Sequence, residues 1–169
     1  MVKKSLVIIL ATIIGLLVFA PKRSLYYLIE QELQKNGVVL SDEEISQNPF
    51  GLTISKAKVY VENTYIGDIK EISLLTLLLY NSLSLEGFEP TESIKRMLPI
   101  SIKKANALYA IWNPLAVDIS LEGSMGKAKG ELDLAQQKII IRFEKGAKIA
   151  PIREYLKKDK NGWYYEQSL

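Results

Sequence analysis

The sequence predicts a mostly β (α+β) protein: a single N-terminal transmembrane helix, one amphipathic helix, then a curved, largely antiparallel sheet with short helical inserts. Three observations carry this reading. Residues 6–20 (LVIILATIIGLLVFA) run fifteen in a row without a charge. Over residues 24–36, apolar side chains recur at helical spacing. After Asn48-Pro49 they recur mostly at every second position, in short runs separated by Gly, Asn, Asp and Pro.

The first run decides the compartment. As a helix, fifteen residues span roughly 22 Å, short for a bilayer core that takes about 20 apolar residues. Ser5 and the stems of Lys4 and Lys22 can supply the missing turn. A cleaved signal peptide would suit the charged start and Val18-Phe19-Ala20, but Pro21 beside the cut fits a protease cleft badly. A buried helix of a water-soluble domain would show a polar face, and this run has none. The favoured reading is a retained anchor over residues 1–23, built on Leu6, Val7, Ile8, Ile9, Leu10, Ile13, Ile14, Leu16, Leu17, Val18 and Phe19. Lys3, Lys4 and the α-amine outweigh Lys22 and Arg23, which leaves the N-terminus cytoplasmic. Residues 24–169 then form a periplasmic β-rich domain at a bacterial inner membrane.

Composition narrows the chemistry. The first twenty residues carry two lysines and no acids, so the remainder holds 20 basic and 19 acidic residues, and nothing suggests a nucleic-acid surface. There is no cysteine and no histidine. Disulfides, thiolate metal sites, imidazole bases and Ser-His or Cys-His nucleophiles are all excluded.

Along the chain, Leu25, Leu28, Ile29 and Leu33 form the helical stripe, with Ser24 as N-cap and Asn36-Gly37 as the stop. Packing on the chain's own sheet is favoured over lying on a bilayer. Residues 38–40 read as a short strand and 41–44 as a polar turn. Leu52, Ile54, Ala57, Val59 and Val61 alternate with one slip, which predicts a bulge. Residues 62–64 read as a turn. Residues 68–74 fit strand or helix, and residues 74–80 read as a buried helical turn or a covered edge. Leu83 and Leu85 alternate, residues 91–95 are largely polar, and Ile100 and Ile102 resume the strand pattern. Asn48-Pro49-Phe50-Gly51-Leu52-Thr53-Ile54-Ser55 aligns with Asn113-Pro114-Leu115-Ala116-Val117-Asp118-Ile119-Ser120, which raises two repeated half-units as an expectation. Gly123, Gly126 and Gly130 suggest close backbone approach or curling. Leu132 and Leu134 precede the turn 135–137, which leads to Ile139, Ile141 and Phe143. Residues 151–158 are a helix candidate, 159–162 a turn, and 163–165 a last strand.

No catalytic constellation survives scrutiny. Gly123 to Ala128 lacks both the glycine spacing and the hydroxyl of a phosphate loop. Asp42, Glu43 and Glu44, like Asp68 and Glu71, read as solvated turns rather than a carboxylate pair. No run fits a calcium loop. The expectation is a non-enzyme without cofactor or metal.

The anchor, the helix after it, and the stretch Gly126-Lys-Ala-Lys-Gly-Glu-Leu-Asp-Leu134 feeding residues 138–143 resemble the type II secretion protein N (GspN) group and, more distantly, the AsmA-like periplasmic proteins. The resemblance covers roughly residues 24–143. It implies a curved sheet with an apolar inner face and no catalytic residues. Two functions follow. The first is a non-catalytic, membrane-anchored scaffold of an envelope-spanning machine, such as a secretion system or a flagellar motor, docking partner proteins through edge strands or Trp163, Tyr164 and Tyr165. The second is AsmA-like lipid binding or transfer in an apolar groove of Leu52, Ile54, Val59, Val61, Val117, Ile119, Ile139 and Ile141. Those side chains would otherwise form a core under the chain's own helices.

Overall fold

The computed structural model describes residues 22–77 and 79–168. The expected anchor, residues 6–20, lies outside them. Among the described residues no helix is long and apolar enough to cross a membrane.

Helix α1 spans Lys22–Lys35. It already includes Lys22 and Arg23, both good helix formers, so Ser24 sits inside the helix rather than at its cap. Its end is as expected. Gly37 takes φ +75°, its N–H reaches the Gln34 carbonyl at 3.0 Å, and the Asn36 amide donates to the Glu32 carbonyl.

Eleven strands then form one open antiparallel sheet: β1 Val38–Ser41, β2 Glu44–Asn48, β3 Gly51–Val61, β4 Thr64–Thr76, β5 Tyr80–Pro90, β6 Ile102–Ala110, β7 Asn113–Gly123, β8 Gly126–Asp133, β9 Lys138–Phe143, β10 Lys157–Asp159 and β11 Gly162–Ser168. Their order is β1-β3-β4-β5-β6-β7-β8-β9-β11-β10, with β2 also paired to β3. β1 and β2 lie along the same edge of β3, opposite residues 58–61 and 51–55 respectively. Two inserts interrupt the meander: α2, Glu92–Met97, capped by the Thr91 hydroxyl, and a 3-10 helix, Ala150–Tyr155.

Several expectations are corrected. Of the two readings open for residues 68–74, strand is the one found, and β4 runs on through Thr76, so residues 74–76 are neither helix nor covered edge. The reason is pairing: β4 is flanked by β3 and β5 along most of its length, and a ladder on both sides outweighs the helix preference of a Leu-rich run. Residues 45–47, unread in the sequence, form β2 with Glu44 and Asn48, both expected in turns, by pairing with β3. The polar stretch 91–95 begins a capped helix. Ile100 lies outside β6. The last helix candidate is a 3-10 helix that stops at Tyr155, because residues 157–159 pair with β11.

The predicted slip in β3 is present. Leu52, Ile54, Ala57 and Val59 are all buried, and Lys56 between them adopts φ +60°. That left-handed residue restores the alternation to the same face. The core comprises Tyr26, Leu40, Leu52, Ile54, Ala57, Val59 and Ile69, with Leu33, Ile72, Leu74, Leu85 and Phe88 against it. It occupies the α1 end of the sheet. Truncating Leu52 there would cost about 2–5 kcal/mol.

Candidate functional site

Residues paired across antiparallel strands share a face, so the register places each predicted residue. One row reads Leu52, Leu74, Leu83, Ala107, Ile119, Gly130, Ile141, Tyr165 from β3 to β11. The adjacent row reads Ile54, Ile72, Leu85, Ala105, Leu121, Ala128, Phe143 across β3 to β9. All eight predicted groove residues fall on this apolar face. Val59 and Val61 sit opposite Leu40 and Val38 at one side, and Val117 lines up with Ile139 through Leu132.

The other face is polar. Thr53, Ser73, Ser84, Asn106, Ser120, Lys129, Arg142 and Tyr164 form one row, and the Ser84 hydroxyl donates to the Asn106 amide oxygen at 2.7 Å. Cross-strand ion pairs add to it: Lys104–Glu86 at 2.8 Å, Lys103–Glu122 at 3.2 Å and Arg142–Asp159 at 2.8 Å. Lys104 holds the Glu86 carboxyl below its ordinary range, and Lys103 does the same for Glu122. Exposed pairs of this kind each contribute about 0–1 kcal/mol. They mark the face that water covers.

The apolar face is covered unequally. α1 packs on β1 and β3, and over β6–β9 no described helix makes comparable contact. Between α1 and strands β3–β5 lies a cleft of about 230 Å³ walled by Tyr26, Ile29, Leu33, Leu40, Leu52, Ile54, Ile72, Leu74, Leu83 and Leu85, with no polar surface. Leu83 stands at its lip, 44% exposed. Beyond it the row continues through Ala107, Ile119 and Gly130 to Ile141. At Gly130 a Cβ would run into the Ile140 carbonyl oxygen, so the strands approach too closely there for a side chain.

Of the eight predicted residues, only Leu52 and Ile54 line the cleft. The sequence reading missed Tyr26, the most buried described residue of α1, because the stripe was drawn through Leu25, Leu28, Ile29 and Leu33. Tyr26 donates its hydroxyl to Glu43 at 2.9 Å, and burial, then this bond, pushes its phenol well above the ordinary range. Ile72, Leu74, Leu83 and Leu85 were also missed, although their alternation was the available signal.

The aromatic trio does not form one patch. Trp163 and Tyr165 belong to the apolar face and Tyr164 to the polar one. Trp163 lies under Arg153 and Lys158, and Tyr164 under Arg142. Among the described residues no cluster of acidic side chains could hold a metal ion. No known protein family, curated protein or solved structure matches this chain.

Proposed function

We propose that this chain is a non-catalytic, inner-membrane-anchored periplasmic protein that holds lipid acyl chains on the apolar face of its sheet, in the manner of an AsmA-like lipid-binding or lipid-transfer protein. The observation that carries this reading is the apolar row from Leu52 to Ile141, against which α1 packs at the β1–β3 side, leaving a cleft over β3–β5. A single-layer sheet must bury its apolar face against something. The cleft is slightly below the 300–1,000 Å³ typical of a small-molecule site. It has room for part of one acyl chain, and the rest would extend over Ala107, Ile119 and Gly130. The charge-free run at residues 6–20 would keep this face next to a lipid source.

A photoactivatable fatty acid added to the full-length protein in mild detergent tests this. Cross-links are expected at Leu83, Ala107, Ile119 and Ile141, and Ile119→Glu should reduce them about tenfold. Cross-links confined to residues 6–20 would overturn the reading.

A second reading, the scaffold of an envelope-spanning machine, is favoured by a different feature. β10 pairs only with residues 162–164 of β11, so residues 165–168 keep one edge open for strand addition. Cross-links between this edge and a stoichiometric secretion or motor subunit, at native expression, would support it. Their absence from an intact membrane preparation would count against it.

A further inference from the structure

The two ends of the sheet differ in chemistry. At one end lie the turns between β2 and β3, β4 and β5, β6 and β7, and β8 and β9. Their residues, 49–50, 77–79, 111–112 and 134–137, include no Asp, Glu, Lys or Arg. At the other end the connections carry Glu62, Glu92, Lys95, Arg96, Glu144, Lys145 and Lys148.

These turns and the strand ends beside them also expose apolar side chains, with the Asp133 carboxylate turned back onto the Ala135 and Gln136 amides. Trp112 is 70% exposed, and Phe50, Leu79, Ile111, Leu115 and Leu134 lie between 43% and 61%. Backbone bonds tie neighbouring tips together. Thr76 N–H donates to the Phe50 carbonyl at 2.7 Å, Ile111 N–H to Leu79 at 2.9 Å, and Leu134 N–H to Leu115 at 2.8 Å. With strands about 4.8 Å apart, the four tips form a row roughly 29 Å long. Such a rim is more than scattered surface hydrophobics.

The direction of α1 says what meets it. Gly37, just past the helix, accepts from Glu62 N–H at the charged end. Eleven residues earlier, Tyr26 reaches Glu43, in the break between β1 and β2 midway along β3. α1 therefore starts on the side of the apolar tips. In the sequence, the charge-free run 6–20 immediately precedes this end of α1.

We propose that this end of the sheet docks into the headgroup region of a lipid bilayer, with Phe50, Leu79, Ile111, Trp112, Leu115 and Leu134 inserted as an apolar rim. Tryptophan at its tip suits that interface, where an apolar ring and a polar N–H are both satisfied. The inference rests on the membrane-anchored reading above and adds a second contact, one that stands the strands upright with the apolar face of the sheet running down to the lipid.

The chain's two tryptophans sit at opposite ends of the sheet, which makes the test internal. Full-length W163F reports Trp112, and full-length W112F reports Trp163. Both are reconstituted in phosphatidylethanolamine–phosphatidylglycerol vesicles containing phosphatidylcholine brominated near the headgroup. Trp112 emission should shift to the blue and fall about twofold, while Trp163 is unchanged. Equal quenching of both, no quenching of Trp112, or a blue shift without quenching (a protein surface covering the rim) would each overturn the proposal. Acyl-chain cross-links at Ile119 that persist while Trp112 stays unquenched would sink the rim and leave the lipid-binding reading standing.

Discussion

Lys56 and Gly87 stand on one line across the sheet, with Lys70 between them, and both have left-handed backbones, at φ +60° and +70°. On each of these strands the apolar series changes phase at this line: Ile54 to Ala57 on β3, Ile72 to Ile69 on β4, Leu85 to Phe88 on β5. The line continues to Lys103, where the β6–β7 register shifts. The shift of phase on each strand keeps one face of the sheet apolar on both sides of this line.

Gly87→Ala should therefore destabilise the domain by about 1 kcal/mol, because its φ is strained for a side chain and its Cβ would press on the Lys70 side chain. Lys56→Gly, at a site already left-handed, should leave stability unchanged or raise it. Urea denaturation compares the two. Equal losses would mean that the left-handed backbone at these two positions does not set the difference.

Tyr26→Phe should cost about 1 kcal/mol, the net value of its bond to Glu43, whereas Tyr26→Ala should cost about 3–5 kcal/mol and open the cleft. The raised phenol also has a pH signature. The unfolded chain releases this proton first, so the contribution is complete below the ordinary value of 10.0 and is lost as pH rises above it. Thermal melts should show an alkaline loss that Tyr26→Phe diminishes.

Carboxylates give the opposite limb. Asp42, Glu86, Glu122, Asp159 and Glu166 are all held below their ordinary values, chiefly by hydrogen bonds from Lys58, Lys104, Lys103, Arg142 and Lys138 in that order. Their stabilisation is present above the unfolded-state values and is lost as pH falls through the folded ones. The melting temperature should drop below about pH 4, and added salt should shrink the effect, since these pairs face water.

Asn81 interrupts the apolar face beside Tyr109, and its buried side-chain oxygen has no hydrogen-bond partner among the described residues. Asn81→Leu should raise stability by about 1 kcal/mol by removing that unpaired group. A loss measured by calorimetry would show that the amide has a partner, such as a ligand's polar end.

The β class was legible because alternation is a local property. Leu52 and Ile54, Ile119, and Ile139 and Ile141 mark their own strands, and the slip at Lys56 shows as a missed beat. Residues 74–76 were not legible. Leu75 and Thr76 are held in strand by Ser82 and Asn81, which lie across a turn the sequence does not mark. Tyr26 was missed for the same reason, since its burial depends on Glu43 seventeen residues away.

The sequence by itself determined which side chains are apolar, their period, the exclusion of histidine and cysteine chemistry, and the charge-free run at residues 6–20. Only the tertiary structure decided that eleven strands pair in one sheet, which puts those side chains on a single face and gathers four turns without charged residues at one end. The reason is physical. Alternation fixes the face within a strand, but hydrogen-bonded register between strands decides whether those faces and ends add up.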